Sequence, residues 1–482
     1  MRSHFDAVII GAGPAGSAAA ILLARAGWSV VLVEKQRFPR RKVCGECIAA
    51  SNLPLLHLLG IGAELDEWAG PPLRQVALLH GDRRVVADLP PAVHPAGGAS
   101  SAHRWGRPLA REMLDTLLLD QARRLGAEVL QPWQVQAIDG QAGRWLCQVR
   151  ATEADHRLVL RAPVLIAANG SWEPLPSSRP AQRPARAAGD LLAFKATFEG
   201  STLPGGLLPV LALAGGYGGM VVSEAGRPAR AGGGTGPGKP AGDSITTVAC
   251  CIRRDRLDSL RQAMPGARAG EVVEAWLKRE CSGVRRVLRS ADRTEPWLAA
   301  GPIAPGVRLR PDDAMFRIGN AAGEAHPILG EGISIALQSA ALLCQHLLTM
   351  LPVAALPGLG RQAEIAQAYA AQWRAHFLPR LRVAALFAHA AMRPHTAAPL
   401  LALAQAWPGV LALGASWGGK LHCAADLAAL AALAPAPVPA SIFADGAARA
   451  AGAAWAAGAA WADGAALAAA AQARRGSTSR AA

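Results

Sequence analysis

Apolar positions in this chain form short unbroken runs near the start, alternate with polar ones through the middle, and return with helical spacing towards the end. Residues 7–10 (A-V-I-I) read as a strand buried on both faces of a parallel sheet. The run stops at Gly11. Residues 17–26 are Ala/Leu-rich and helical, Gly27 ends them, and residues 29–33 form a second buried strand closed by Glu34. Residues 51–65 read as helix, and residues 73–91 alternate as strands around a hairpin turn at His80-Gly81-Asp82, with a loop over 90–101. A helix is expected over 107–127, with apolar positions at 114, 117, 118, 122 and 125 and a stop at Gly126. Strands follow at 127–131, 145–150 and 164–167, the last ending in a turn at Asn169-Gly170.

From residue 186 to 302 the pattern suits an antiparallel sheet, with strands at 191–198, 207–213, 217–222 and 245–252, a Gly-rich turn at 215–219 and a helix at 271–280. Residues 225–244 are a Gly/Pro loop without the flanking strand and helix of a phosphate loop. A long helix opens at Gly330-Glu331-Gly332, and another covers 362–392. Residues 396–419 carry no Asp, Glu, Lys or Arg and break at Trp407-Pro408-Gly409 into two short helices. Two readings fit them, a membrane-surface contact or a buried helical pair. Beyond Ala434 the glycines at 446, 452, 458 and 464 mark a six-residue repeat, read as a loosely helical or disordered appendage.

The first strand–turn–helix holds Gly11-Ala12-Gly13-Pro14-Ala15-Gly16, a G-x-G-x-x-G with strand, helix, second strand and acid in order. Gly11 permits the tight turn, Gly13 lets backbone approach a pyrophosphate, and Gly16 lets the helix pack closely. The helix N-terminus offers unpaired N–H groups and the positive end of its dipole. Glu34 stands where an acid accepts hydrogen bonds from an adenosine ribose. The stretch predicts a dinucleotide site.

Composition narrows the picture. At 482 residues the chain has room for two or three domains. The formal charge is +15, with arginines scattered and no basic stripe interleaved with aromatics. Anionic cofactors, acidic substrates or a membrane surface fit this charge, and nucleic acid does not. The eight cysteines show no disulfide framework, and Cys44-x-x-Cys47 has no second pair for zinc. No metal-ligand spacing and no Ser/His/Asp order stands out. No signal peptide is read at the start and no spanning helix anywhere. The expected location is the cytoplasm, with a peripheral contact to the inner face of the membrane as the alternative.

Two further stretches carry a resemblance. Phe38-Pro39-Arg40-Arg41-Lys42-Val43-Cys44-Gly45-Glu46 is similar to an F-P-R-x-K-x-C-G-E loop, and Gly319-Asn320-Ala321-Ala322 … Pro327 … Gly330-x-Gly332 to G-D-A-A-x-x-x-x-P-x-x-G-x-G. Together with the glycine turn, over residues 4–430, these resemble the two-domain flavoproteins of the geranylgeranyl reductase and aromatic hydroxylase superfamily. The resemblance implies a Rossmann-like FAD-binding domain (α/β, three layers, parallel sheet) at 1–75, 100–185 and 303–350. It adds an antiparallel-sheet substrate domain at 76–99 and 186–302, C-terminal helices at 351–433 and the low-complexity tail at 434–482.

The resemblance also implies FAD contacts from Gly11, Gly13, Pro14, Ala15, Gly16, Glu34, Lys35, Lys42, Cys44, Arg111, Val135, Asn320, Pro327, Gly330, Gly332 and Ile333. Asn320 and Asn169 replace acids of the family pattern. Cys44 is the only candidate for a reacting side chain. His326 and Glu331 either face the cofactor or are structural. There is one dinucleotide fingerprint, so NADPH or NADH binds transiently or an electron-donor protein supplies the reductant. The Trp-rich signature of flavin halogenases is not found. The expected activity is hydride transfer through FAD to a hydrophobic prenyl-, lipid- or polyketide-like molecule. Hydroxylation by a flavin monooxygenase and a non-catalytic, membrane-associated flavin-binding role are the alternatives.

Overall fold

Five parallel strands form the central sheet, in the order Phe316–Arg317, Val164–Ala167, Ala7–Ile10, Val30–Val33, Glu128–Leu130. Ala7 lies between Val30 and Val164, so the first strand is central, and all four of its residues are buried. This is why it reads as unbroken apolar sequence rather than alternation. The computed structural model describes residues 2–92, 104–171, 175–176, 186–224, 244–310, 315–351, 359–417 and 419–433. Most of the 90–101 loop, nearly all of the 225–244 loop and the 434–482 tail lie outside the described residues.

Pro14–Arg25 follows the first strand, with proline in its first turn where a missing N–H costs nothing. It packs against Arg111–Arg124 and the long helix Gly332–Met350. By length and composition Gly332–Met350 is apolar enough to cross a membrane, but it is mostly buried in this core. An antiparallel sheet of Trp133–Gln141, Arg144–Ala151 and Arg157–Ala162 packs on the parallel sheet through Phe5, Val33, Trp133, Val135 and Leu160.

The second large sheet runs in the order Asp292–Arg293, Leu191–Glu199, Ile245–Arg253, Gly216–Glu224, Leu207–Leu213, Gln75–His80, Arg83–Asp88. Leu298–Ile303 also pairs with Leu191–Glu199. Phe194, Phe198, Met220 and Val248 on one face pack against Val273, Trp276 and Leu277 of helix Ala269–Glu280. Ala193, Ala212, Tyr217 and Cys251 on the other face meet Ala388, Ala391 and Met392 of helix Leu359–Met392.

Several expectations are corrected. The sheet is mixed, because Leu207–Leu213 runs parallel to Gln75–His80. The helix expected from 107 begins at Arg111, since Arg107–Pro108 instead pairs as a strand with Cys47–Ile48. The helix expected over 51–65 is broken at Gly60, whose φ of +89° belongs to the left-handed region. Only Gly215 of the 215–219 group is in the turn. Gly216 lies in the strand, where a Cβ would stand 2.4 Å from the Cys251 carbonyl oxygen.

Candidate functional site

The three sequence motifs meet at one cavity of about 380 Å3 between the parallel sheet, the mixed sheet and the C-terminal helices. Gly13, Pro14 and Ala15 reach it from the first turn; Lys42 and Cys44 from the loop after the second strand; and Arg111 from the start of its helix. Asn320, Pro327, Gly330, Gly332 and Ile333 reach it from the far end of the chain. The motifs also touch directly: a Cβ on Gly319 would lie 3.0 Å from the Ala15 side chain. Gly11, Gly16, Glu34, Lys35 and Val135 are not on the cavity wall. Val135 sits in the core under the three-stranded sheet.

The glycines of the first turn have different duties. A Cβ on Gly11 would meet the Ala168 oxygen at 2.5 Å, and its φ is +101°. A Cβ on Gly16 would fall 1.8 Å from the Gly11 oxygen, so this glycine closes the helix onto the turn itself. At Gly13 the nearest atoms are the guanidinium tips of Arg40 and Arg111, at 3.9 and 4.0 Å. Its Cα therefore faces open space edged by cations, at the positive end of a helix dipole. Among the described residues this is the part of the cavity suited to a diphosphate.

Glu34 is buried, and its carboxylate oxygens accept the N–H groups of Ala12 and Gln36, each at 3.0 Å. It braces the turn it follows, with lone pairs remaining for a further donor. Lys35 is half-buried beside it, and burial, opposed by Glu34, lowers its pKa. Arg111 forms a two-point ion pair with Asp115 at 2.8 and 2.9 Å. Burial works against the Arg111 charge, but Asp115 and Cys44 outweigh it and raise its pKa. Burial and the cations Arg111 and Arg40 push the Lys42 ammonium down to about 8.

Cys44 lies on the wall beside Arg111, and its Sγ accepts the Glu46 N–H at 3.3 Å. Burial raises the Cys47 pKa, with Lys420 partly offsetting it. Glu46 is the only non-glycine residue with positive φ, +57°, among the described residues. It is almost fully buried, and its carboxylate pairs with Lys195 and accepts from Thr247 Oγ1 at 2.6 Å and the Arg111 N–H at 2.9 Å. One side chain thus ties the cysteine loop, the Arg111 helix and the mixed sheet together. Removing one partner of such a pair leaves an uncompensated buried charge.

At the other end of the site Asn320 donates to Glu324 at 3.1 Å, and Arg308 pairs with the same carboxylate group at 2.9 Å. Gly330 has φ +64°, and Glu331 caps the long helix. Glu331 is fully buried and neither oxygen has an aligned hydrogen bond. Its charge is matched by Lys420 Nζ at 3.2 Å and Arg380 Nη1 at 3.8 Å. Glu331 is therefore held inside the fold by Arg380 of helix Leu359–Met392 and by Lys420 of the loop after Gly409–Trp417. His326 is buried against His389, with ring centroids 5.3 Å apart, and its Nδ1 is 3.4 Å from the Tyr217 hydroxyl. Burial and His389 lower its pKa to about 4, so the ring is neutral at pH 7.

Sequence reasoning missed Glu46, Lys195, Tyr217, Arg380 and Lys420 as parts of this site. Lys195 left a signal: it interrupts an apolar strand in a chain with only six lysines. Nothing local marks Lys420, which reaches the cavity only because Gly419 and Lys420 carbonyls bond to Ser51.

A family model described as an FAD binding domain matches residues 4–372. The chain belongs to that family of FAD-binding flavoproteins. Its cofactor is FAD, and FAD-dependent enzymes are among the proteins it resembles. The flavoprotein is 26% identical to "Conditioned medium factor receptor 1" of Dictyostelium discoideum, over 71% of this chain and 62% of that one. It is 33% identical to the menaquinone reductase of Mycobacterium tuberculosis, over 35% of this chain and 38% of that one. The alignments thus span less than two thirds of either relative. Among solved structures, the myxobacterial chondrochloren halogenase, an FAD-dependent halogenase, superposes with a TM-score of 0.62 at 18% identity. That match covers 91% of this chain and 98% of the halogenase, and it establishes the shared fold. The Gly13 opening, its cations and the Gly330–Gly332 helix start fit the group the family requires.

Proposed function

We propose that this flavoprotein is a reductase that saturates a carbon–carbon double bond in a hydrophobic, prenyl- or polyketide-like small molecule. The supporting observation is the chemical division of the cavity. Its motif side carries Lys42, Arg111 and two helix starts, whereas Val76, Leu78, Val210, Leu400 and Leu411 form the opposite side. An apolar wall of this kind favours a substrate recognised by burial rather than by charge. The similarity to menaquinone reductase, whose name denotes action on a prenylated quinone, supports the same class.

In this reading Gly13, Pro14, Ala15 and Gly16 border the FAD diphosphate, with Arg111 and Lys42 neutralising it. Glu34 and Lys35 face the ribose side, with Val135 behind the adenine. Asn320, Pro327, Gly330, Gly332 and Ile333 face the ring end. FAD, when bound, supplies two-electron hydride chemistry. The Gly332 helix start stabilises negative charge in the site. Cys44 lies on the cavity wall beside Arg111. Hydride ends on one alkene carbon and a proton from solvent on the other, and NADPH or NADH leaves oxidised.

The test uses the FAD-loaded enzyme without oxygen, with NADPH or NADH and a prenylated quinone or polyprenyl alkene. A product heavier by two hydrogens is expected. Product formed only in air and carrying an added oxygen atom would replace the reading with a monooxygenase. A flavin that neither nicotinamide reduces would replace it with an electron-donor-protein partner or a binding role.

A further inference from the structure

We propose that helices Pro394–Ala406 and Gly409–Trp417 dock the protein on an anionic lipid bilayer, with Leu403 and Trp407 entering the interface. The proposal deepens the reading above, because a bilayer is where a prenyl-like substrate would dissolve. Six large hydrophobic residues are exposed among the described residues, and four of them, Leu386, Leu403, Trp407 and Trp417, fall within residues 386–417. Leu403 is 47% exposed, Trp407 54% and Trp417 61%.

Pro394–Ala406 has two apolar faces. Ala397, Leu401 and Ala404 are buried, and Leu401 and Ala404 pack on Val85. Ala397, Leu400 and Ala404 line the cavity. The exposed residues are Ala398, Pro399, Ala402, Leu403 and Ala406, with the polar His395, Thr396 and Gln405 among them and no Asp, Glu, Lys or Arg. A helix that meets only water ordinarily presents charged or polar residues there. Tryptophan, apolar with one N–H, favours the headgroup boundary.

Charge identifies the occupant. No Asp or Glu occurs from Ile365 to Ala425, a stretch that contains Arg374, Arg380, Arg382, Arg393 and Lys420. Arg380 and Lys420 are engaged by Glu331, and Arg374 donates to the Leu309 carbonyl. Arg382 and Arg393 are exposed; Arg382 lies one helical turn before Leu386, and Arg393 stands at the start of Pro394–Ala406. Each such cation is attracted to an anionic headgroup. The inward face of the same helix is the cavity wall, so a docked protein holds its cavity one helix thickness, about 10 Å, from the lipid.

The full chain loaded with FAD is mixed with vesicles of phosphatidylcholine plus phosphatidylglycerol, and with phosphatidylcholine alone, then sedimented. Binding to the anionic vesicles is expected, weakened by salt. Leu403→Glu with Trp407→Glu is expected to lower partitioning by at least about tenfold with an unchanged melting temperature. Leu386→Glu, a separate exposed site, is expected to lower it less. The proposal is overturned if the wild-type protein stays in the supernatant, or if the double variant partitions equally. It is also overturned if the double variant converts a dimer to a monomer without lipid, which assigns the face to a second copy. Turnover of a short, water-dissolved prenyl analogue separates the two ideas. Turnover without vesicle binding sinks docking alone, and vesicle binding without turnover sinks only the reductase reading.

Discussion

The two walls of the cavity are built on opposite principles. The motif wall is assembled from glycine turns, helix starts and paired charges. The opposite wall is made of sheet and helix side chains whose common requirement is that they be apolar and fill space. In the proposed function the first wall faces FAD and the second a hydrophobic substrate. Around the first glycine turn, residues that hold the protein together are distinct from residues that face the cavity.

The strongest way to test that distinction is to compare two glycines three residues apart. Gly16→Val drives a side chain into the Gly11 carbonyl, and destabilisation above about 4 kcal/mol is expected in urea unfolding. At Gly13 an added Cβ meets nothing closer than 3.9 Å, so Gly13→Ala is expected to keep stability near wild type while FAD affinity, read by flavin fluorescence, falls about 100-fold or more. Equal stability losses for both variants would erase the distinction.

Next in size is the bridge between the walls. Lys195→Met strips the partner from buried Glu46 and is expected to cost about 3–5 kcal/mol, and adding Glu46→Gln should restore part of it. A loss under about 1 kcal/mol would mean that the Glu46 link is incidental.

His326 gives a smaller, pH-dependent effect. Its ring protonates at about 4 in the folded protein, against an ordinary value of 6.5. The unfolded chain therefore takes up this proton first, and stability present above pH 6.5 is lost as pH falls towards 4. His326→Gln is expected to remove roughly 2 kcal/mol of that decline in thermal melts. An unchanged slope would place the acid sensitivity elsewhere.

The smallest effect concerns Lys42. Its ammonium loses its proton near pH 8, so the dissociation constant of FAD should rise by up to about tenfold per pH unit above 8. Lys42→Met should show a flat profile, and a wild-type profile flat through pH 9 would remove Lys42 from the diphosphate's neighbourhood.

The parallel sheet and the three motifs were legible because they are local. A buried strand needs four consecutive apolar residues, and a tight turn needs glycine at fixed offsets, whatever lies elsewhere in the chain. The strands of 133–141 and 157–162 were not read, because half their residues face solvent and their alternation is interrupted: the register of Trp133–Gln141 slips between Val135 and Ala137. The mixed sheet's one parallel pairing also escaped, since it joins residues more than 130 positions apart.

The site divides in the same way. Sequence alone determined the glycine turns, the buried strand they follow and the dinucleotide chemistry, because each depends on backbone geometry within about a turn of chain. Tertiary structure decided that Glu46 meets Lys195, that Lys420 and Arg380 neutralise Glu331, and that the same short helix lines the cavity and faces outward. Those pairings arise from burial, which is a property of what packs above a residue and not of its neighbours in the chain.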